Sequence, residues 1–250
     1  MRRSAIMILG LLTAAAPIGV AARPRVAIID SGVARTAELE TKLLTEYDAA
    51  SAVPRAPFQP RYDHGTMVAT ILARANPDVD IVSVRIDDPA GCPTGSTPPC
   101  QPDPERIAAA IRHATSLRVD AINISLTLGE NIAITDAVRE AARAGIVVVM
   151  AAGNEGRGHP GNLSMARAAY PHAVLVGAVD AGGQPWEGTN RPDAVTQGYR
   201  YAWQRGVGVP TALADGQEVR GTGTSFAAPI ETARLMAEMR KGGAAADVSH

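Results

Sequence analysis

The sequence predicts an α/β fold, a three-layer sandwich in which a mostly parallel, buried sheet is flanked by helices. Apolar runs without polar alternation, at residues 25–29 and 146–150, are typical of strands that are buried on both faces. In residues 64–75 the apolar residues recur at helical spacing instead. Because such strands and helices alternate along the chain, we expect helices to cover both faces of a parallel sheet.

Local signals at helix ends place the remaining elements. Asp103 and Pro104 predict the start of a helix, because Asp is a good N-cap and Pro suits the first helical position. Gly145 predicts the end of the helix that begins near Ile132, since glycine readily takes the left-handed conformation that follows many helices. Further strands are predicted at residues 79–86, 119–126 and 173–179, and a last helix at about residues 225–240.

Length and composition leave the number of domains open and exclude two classes of partner. The 250 residues would fill one large domain or two small ones. The formal net charge is only −1 at pH 7, so the chain lacks the charge asymmetry that attracts nucleic acid or anionic lipid. Neither is therefore expected as a partner.

Both ends of the chain are expected to lie outside the folded domain. Arg2 and Arg3 precede an apolar stretch, and small residues up to Ala22 suit a cleavage site, so residues 1–22 are predicted to be a signal peptide. The apolar stretch is too short for a comfortable membrane span, although an uncleaved anchor is the alternative interpretation. We therefore expect an exported protein, periplasmic or secreted, with no stable membrane span. Residues 242–250 are expected to form a disordered tail.

The two cysteines predict a local crosslink. Cys92 and Cys100 flank a segment rich in Pro and Gly that has no helix or strand pattern. In an oxidising compartment such a pair usually closes as a disulfide. A metal site is not expected, because no second pair of Cys or His completes one, and no other cofactor is predicted.

Four short segments carry side chains that are suited to nucleophilic catalysis. They read DSG at 30–32, HGT at 64–66, AAGNEG at 151–156 and GTSFAAP at 223–229. Each alone is as typical of a turn or a helix cap as of an active site. Together, and in this order, they resemble the subtilisin-like serine peptidases, the subtilase family, and the resemblance covers nearly all of residues 25–240.

The resemblance implies a catalytic triad of Asp30, His64 and Ser225 in a peptidase domain at residues 23–241. A serine hydroxyl is a poor nucleophile until a base takes its proton, so Ser225 would need His64 within reach. The Asp30 carboxylate would hold the imidazole in one tautomer and stabilise the imidazolium that forms. The side-chain amide of Asn154 and the backbone N–H of Ser225 would form the oxyanion hole. The implied activity is that of a serine endopeptidase that forms an acyl-enzyme.

The resemblance also implies a polypeptide substrate that binds as an added strand. The segment that would pair with it consists of Ser125, Leu126 and Thr127. Position 127 departs from the family, which prefers glycine there, and a Cβ at this position could obstruct the backbone of a bound peptide.

A pocket for the residue before the scissile bond is implied next to this segment. Its near wall would consist of Ala151, Ala152 and Gly153. Glu155 would lie at the rim, where it either favours basic side chains or is simply solvated. Residues 161–170 would supply the far wall, which Met165 would narrow.

Two further departures from the family leave the function open. The family usually carries a folding prosegment, whereas only Arg23, Pro24 and Arg25 separate the predicted cleavage site from the first strand. The domain would then fold unaided or with a separate helper or inhibitor protein. The family's calcium loop after the His-bearing helix is not recognisable, and the Cys92–Cys100 loop is a candidate substitute for its stabilising effect. The alternative functions are a peptide-binding or partner-specific processing protein with little general proteolysis, and an esterase or transacylase with the same triad.

Overall fold

A computed structural model describes residues 22–96, 98–193 and 198–247. The predicted signal peptide therefore lies outside the described residues, apart from Ala22. Within the described residues, no helix is both long enough and apolar enough to cross a membrane.

A sheet of seven strands, all paired in parallel, forms the centre of the molecule. In chain order its strands are β1 (Arg25–Asp30), β2 (Leu43–Asp48), β3 (Asp80–Arg85), β4 (Ala121–Ile124), β5 (Val147–Ala151), β6 (Ala173–Val179) and β7 (Arg200–Arg205). Their spatial order is β2-β3-β1-β4-β5-β6-β7, so β2 and β7 are the edge strands. Two short strands, β8 (Val209–Ala212) and β9 (Glu218–Gly221), form a separate antiparallel pair.

Helices cover both faces of this sheet. They are α1 (His64–Ala75), α2 (Pro104–Ser116), α3 (Ile132–Arg143), α4 (Leu163–Ala168) and α5 (Thr224–Asp247). On one face α2, α3 and α4 pack against strand residues that include Ile29 and Met150. On the other face α1 and α5 pack against strand residues that include Ile28 and Val149. Neighbouring residues of one strand thus enter opposite cores, and the predicted three-layer α/β sandwich is confirmed.

The ends of two helices test the local signals in the sequence. The predicted N-cap of α2 is confirmed, since Oδ1 of Asp103 accepts a hydrogen bond of 2.9 Å from the backbone N–H of Glu105. The predicted end of α5 is wrong, because the helix continues through Gly242 to Asp247 instead of giving way to a tail. The alanines at 244–246 have the highest helix propensity, which offsets the cost of the two glycines before them. Residues 248–250 lie outside the described residues.

The polar segments that the sequence singles out lie at the carboxyl edge of the sheet, which is the end at which the parallel strands finish. Strands β1, β4 and β5 are neighbours. Asp30 is the last residue of β1, while Ser125 and Asn154 come shortly after the carboxyl ends of β4 and β5. In parallel sheets the ligands bind at this edge. Helices α1 and α5 begin there with His64 and Thr224, so five elements deliver side chains to one region.

Candidate active site

Asp30 and His64 form a tight pair at this edge. Asp30 ends the buried strand β1 and is fully buried, while His64 is the first residue of α1. Nδ1 of His64 lies 2.9 Å from Oδ1 and 3.0 Å from Oδ2 of Asp30. The backbone N–H of Ser31 donates a further bond of 2.7 Å to Oδ1. The carboxylate is therefore held from two directions, and it can fix the orientation of the imidazole ring.

A glycine allows the close approach of α1 to the end of β1. A Cβ on Gly65 would lie 2.2 Å from the carbonyl oxygen of Gly32 and 3.2 Å from Cβ of Asp30. The first contact is shorter than any that a real Cβ makes with backbone, so a larger residue would push His64 away from Asp30.

The environment of His64 shifts its pKa. Burial of the ring disfavours the charged form and acts to lower the pKa, but the negative charge of Asp30 and the hydrogen bond to it act in the opposite direction. The net result is a pKa of His64 above its ordinary value of 6.5. Below this pKa the ring is protonated and cannot accept a proton, so a reaction that needs His64 as a base requires a higher pH.

The amide of Asn154 is oriented by the start of α5. Its Oδ1 accepts hydrogen bonds from the backbone N–H of Thr224, at 2.8 Å, and from Oγ1 of Thr224, at 2.9 Å. The Thr224 hydroxyl also accepts a bond of 3.1 Å from the backbone N–H of Gly153. Since the oxygen of Asn154 is occupied by Thr224, its Nδ2 is the group left to donate to another molecule. The sequence places Thr224 only within the motif at residues 223–229 and does not predict that it orients the Asn154 amide.

Pro229 explains how the first turn of α5 is tied to the sheet. A helical carbonyl normally accepts from the N–H four residues later, and for Ser225 that residue is Pro229, which has no N–H. The carbonyl oxygen of Ser225 accepts instead from Oγ of Ser125, at 2.8 Å. Oγ of Ser125 in turn accepts a bond of 3.0 Å from the buried Asn123. The turn that carries Ser225 is therefore anchored to the end of β4.

A cleft of about 360 Å³ brings these groups together. It is lined by His64, Asn154 and Ser225, and also by Ser125, Leu126, Thr127 and Glu155. In the part of the chain that the structure describes, the hydroxyl of Ser225 has no hydrogen-bond partner, and it shares the cleft with His64 without a direct bond. Such pairs often tighten only when a substrate binds.

The near wall of the predicted pocket does not line this cleft. Ala151, Ala152 and Gly153 are buried behind it. Their carbonyl groups are also engaged, since that of Ala152 accepts from the backbone N–H of Gly161, at 2.7 Å, and from Nδ2 of Asn190, at 3.1 Å. Met165 is likewise fully buried, in the core under α4, and does not narrow the cleft as expected.

Glu155 is present at the rim and is held by a buried amide. Its Oε2 accepts a bond of 2.6 Å from Nδ2 of Asn190, and Oδ1 of Asn190 accepts from the backbone N–H groups of Glu155 and Arg157. Asn190 is 1% exposed, so it is a fixed part of the structure. No sequence pattern predicts a role for this residue, because it lies in an irregular segment after β6 that matches no helix or strand pattern.

The opposite wall of the cleft begins at the disulfide. The predicted bond between Cys92 and Cys100 is confirmed. Beside it, the cleft is lined by Pro98, Pro99, Gln101 and Ile107. The loop is attached at both ends, because the hydroxyl of Tyr62 accepts from the N–H of Cys92 at 2.9 Å and Gln101 donates to the carbonyl of Ile86 at 2.9 Å. Among the described residues, no group of three or more His, Cys, Asp or Glu side chains could hold a metal ion.

Comparison with known proteins identifies relatives of the whole domain. The profile of the Subtilase family matches residues 22–241. Subtilisin E from Bacillus subtilis (strain 168) is 30% identical over 218 residues, and subtilisin NAT from Bacillus subtilis subsp. natto is 31% identical over 219 residues. Each match covers 82% of this chain and 52% of the relative, so the chain spans about half the length of these curated relatives.

Solved structures share the fold at lower identity. A cold adapted subtilisin-like serine proteinase superposes with a TM-score of 0.70 at 22% identity, covering 87% of this chain and 75% of that one. Sphericase superposes with a TM-score of 0.71 at 24% identity, covering 86% of this chain and 76% of that one. With the family profile matched over nearly the whole described chain, and with the fold shared, the chain belongs to the subtilase family.

Proposed function

We propose that the protein is a serine endopeptidase that hydrolyses peptide bonds in polypeptides through an acyl-enzyme. Asp30, His64 and Ser225 form its triad, and Asn154 lies in its oxyanion hole. The observation that carries this proposal is the pairing of His64 with both oxygens of a fully buried Asp30, in a cleft that also contains Ser225. Membership of the subtilase family supports the same reaction class.

The first half of the reaction forms a covalent ester. Oγ of Ser225 attacks the carbonyl carbon of the scissile bond, and its proton passes to Nε2 of His64. The carbonyl oxygen becomes an oxyanion, which accepts hydrogen bonds from Nδ2 of Asn154 and from the backbone N–H of Ser225. The carbon–nitrogen bond then breaks, and His64 gives its proton to the leaving amine.

Hydrolysis of the ester completes the cycle. A water molecule gives a proton to His64 and attacks the acyl carbon, and the proton then returns to Ser225 as the ester bond breaks. During both halves the side chain of Asp30 stabilises the imidazolium. The raised pKa of His64 supports this assignment, because it shows that the carboxylate favours the charged ring despite burial.

The substrate is proposed to bind as an extended strand beside Ser125, Leu126 and Thr127. These residues follow β4 directly and line the cleft, so their backbone continues the edge at which the triad lies. Glu155 stands at the same cleft and offers one carboxylate oxygen that Asn190 does not engage.

Export is part of the proposal. The pattern of residues 1–22 is typical of a signal peptide, and a disulfide at Cys92 and Cys100 suits an oxidising compartment. The mature protein would then begin with the peptidase domain at residues 23–241. N-terminal sequencing of the exported protein should give Arg23 as the first residue, and sequence from Met1 would contradict a cleaved signal.

A fluorophosphonate probe tests the catalytic assignment. The wild-type protein should be labelled, more rapidly as the pH rises through the raised pKa of His64, and Ser225→Ala should abolish the labelling at every pH. The matched control is Ser116→Ala, which removes an exposed serine at the far end of α2 and should leave labelling unchanged. Absence of labelling in folded wild-type protein would overturn the proposal. Cleavage of casein then separates an endopeptidase from an esterase or a partner-specific enzyme.

A further inference from the structure

Thr127 contacts a chain segment from the other side of the predicted pocket. A Cβ on Gly161 would lie 2.6 Å from Cγ2 of Thr127, so the methyl group is packed directly against this glycine. Gly161 is itself fastened to Ala152 by the hydrogen bond between its N–H and the Ala152 carbonyl. The Thr127 methyl therefore fills the space between residues 125–127 and the wall of the predicted pocket that contains Ala152.

The space behind this contact is spanned by a buried amide. Nδ2 of Asn162 donates to the carbonyl of Leu126 at 2.7 Å and to that of Ala151 at 3.0 Å. Its Oδ1 accepts from the N–H of Leu128 at 2.8 Å. Asn162 is 4% exposed, so this bridge is not a surface feature. A substrate side chain cannot enter deeply between Leu126 and Ala151 without breaking the hydrogen bonds of Asn162.

The carboxylate of Glu155 covers another part of the predicted pocket, at Gly153. A Cβ on Gly153 would lie 2.8 Å from Oε2 of Glu155 and 2.3 Å from Nδ2 of Asn190. The carboxylate of Glu155 thus lies against the backbone of Gly153, held there by the buried Asn190. Both approaches to the predicted pocket are occupied by side chains of this chain.

We propose that Thr127 determines specificity by restricting the residue before the scissile bond to small side chains, such as those of Gly, Ala and Ser. This inference rests on the proposed function and names its substrate class. A Phe or Lys side chain would have to displace the Thr127 methyl or separate Gly161 from Ala152. Well-packed sites resist such insertions, because the neighbouring groups must leave their rotamers or their hydrogen bonds.

Covalent probes that carry a side chain at this position test the inference. Acetylated diphenyl phosphonates built on Ala, Phe and Lys react with an active serine, and the second-order rate of inactivation measures how well each side chain fits. In the wild type we expect the Ala probe to react at least ~10-fold faster than either other probe, a typical discrimination for steric fit in a pocket.

Three variants at one position assign the effect to the methyl group. Thr127→Ser removes only Cγ2 and should raise the Phe-to-Ala rate ratio several-fold, and Thr127→Gly should raise it further. Thr127→Val keeps a methyl in the same place and loses the hydroxyl, so its rate ratio should match that of the wild type. All three changes lie at an exposed residue, and circular dichroism confirms folding.

The outcomes separate this inference from the proposed function. A simple fluorophosphonate has no side chain at this position. Failure to label folded wild-type protein with it would therefore contradict both the proposed function and the inference. Labelling by the fluorophosphonate, combined with a faster reaction of the Phe or Lys probe than of the Ala probe, would overturn the inference alone. Equal rate ratios for Thr127→Ser and Thr127→Val would also overturn it, because they would show that the methyl does not matter.

Discussion

The two sides of the cleft hold their functional groups by different means. Asp30 and His64 belong to a buried strand and to the first turn of a helix, and two N–H donors, Nδ1 of His64 and the backbone of Ser31, hold the Asp30 carboxylate. Thr127 and Glu155 are exposed residues that line the cleft, and their positions depend on contacts with residues that are distant in sequence, Gly161 and Asn190. Regular secondary structure thus positions the candidate base, whereas loop contacts shape the surface that would meet the substrate.

This difference explains which features can vary independently. A change at the buried pair disturbs a strand end, a helix start and a charged hydrogen bond at once, so its effect on the chemistry should be large. A change on the loop side removes one contact and leaves the pair intact, so it should alter the binding of substrates more than the rate of bond cleavage.

The largest effect is expected from Asp30→Asn. An amide could donate to Nδ1 of His64, which would place the ring proton on Nε2 and prevent it from accepting the proton of Ser225. We expect kcat to fall on the order of 10⁴-fold, as for the equivalent change in another serine protease. Loss of the negative charge should also lower the pKa of His64 and move the rise of activity to lower pH.

The control for this prediction is Asp78→Asn, at an exposed aspartate that pairs with Arg240 near the opposite edge of the sheet. It should leave kcat unchanged. A fall of less than tenfold for Asp30→Asn, measured with a peptide ester and with the protein folded, would mean that the buried pair is structural.

A smaller effect is expected from Thr224→Val, at the residue that is hydrogen-bonded to both Asn154 and Gly153. The change removes the hydroxyl that donates to Oδ1 of Asn154 and accepts from the N–H of Gly153, while the backbone bond from Thr224 to Asn154 remains. One such hydrogen bond contributes about 1 kcal/mol, so we expect kcat to fall about 5-fold to 10-fold with little change in KM. Thr224→Ser keeps the hydroxyl and should retain most of the activity. Equal losses for Ser and Val would show that the hydroxyl does not orient Asn154.

The contrast between the two sides also describes what the sequence could predict of the fold. Central strands such as β5 and β6 are buried on both faces, so they read as apolar runs and were predicted to within a residue or two. The edge strands β2 and β7 were missed, because Leu43 is the only buried residue in the two strands and their sequences carry Thr, Glu, Gln and Arg. A strand whose partner lies on one side only leaves a weak pattern in the sequence.

The candidate site follows the same rule. Asp30, His64, Asn154 and Ser225 could be predicted because short motifs with fixed neighbours accompany them, and the structure brings all four to one place. For the predicted pocket wall, the sequence does not show the contacts that hold it, in which the carbonyl of Ala152 accepts from Asn190 and from Gly161. These contacts join residues far apart in the chain, and no local pattern of one segment reveals its partner.

The smallest effect on the chemistry is expected from removal of the disulfide by Cys92→Ala with Cys100→Ala. The bond closes a short loop with a sequence separation of 8, so its loss should reduce the free energy of unfolding by about 2–3 kcal/mol and the melting temperature by about 5–10 °C. Because Pro98 and Pro99 line the cleft beside the bond, KM for long peptides should rise several-fold.

The rate of fluorophosphonate labelling separates the loop from the catalytic pair in the same variant. The probe carries no peptide chain that would need the wall formed by Pro98 and Pro99, and the hydrogen bonds between Asp30 and His64 do not involve the disulfide. Labelling below the melting temperature should therefore proceed at the wild-type rate while KM for long peptides rises. A parallel loss of labelling and of peptide cleavage would contradict the division of the cleft, because it would show that the disulfide loop also positions the base, through the contact between Cys92 and Tyr62.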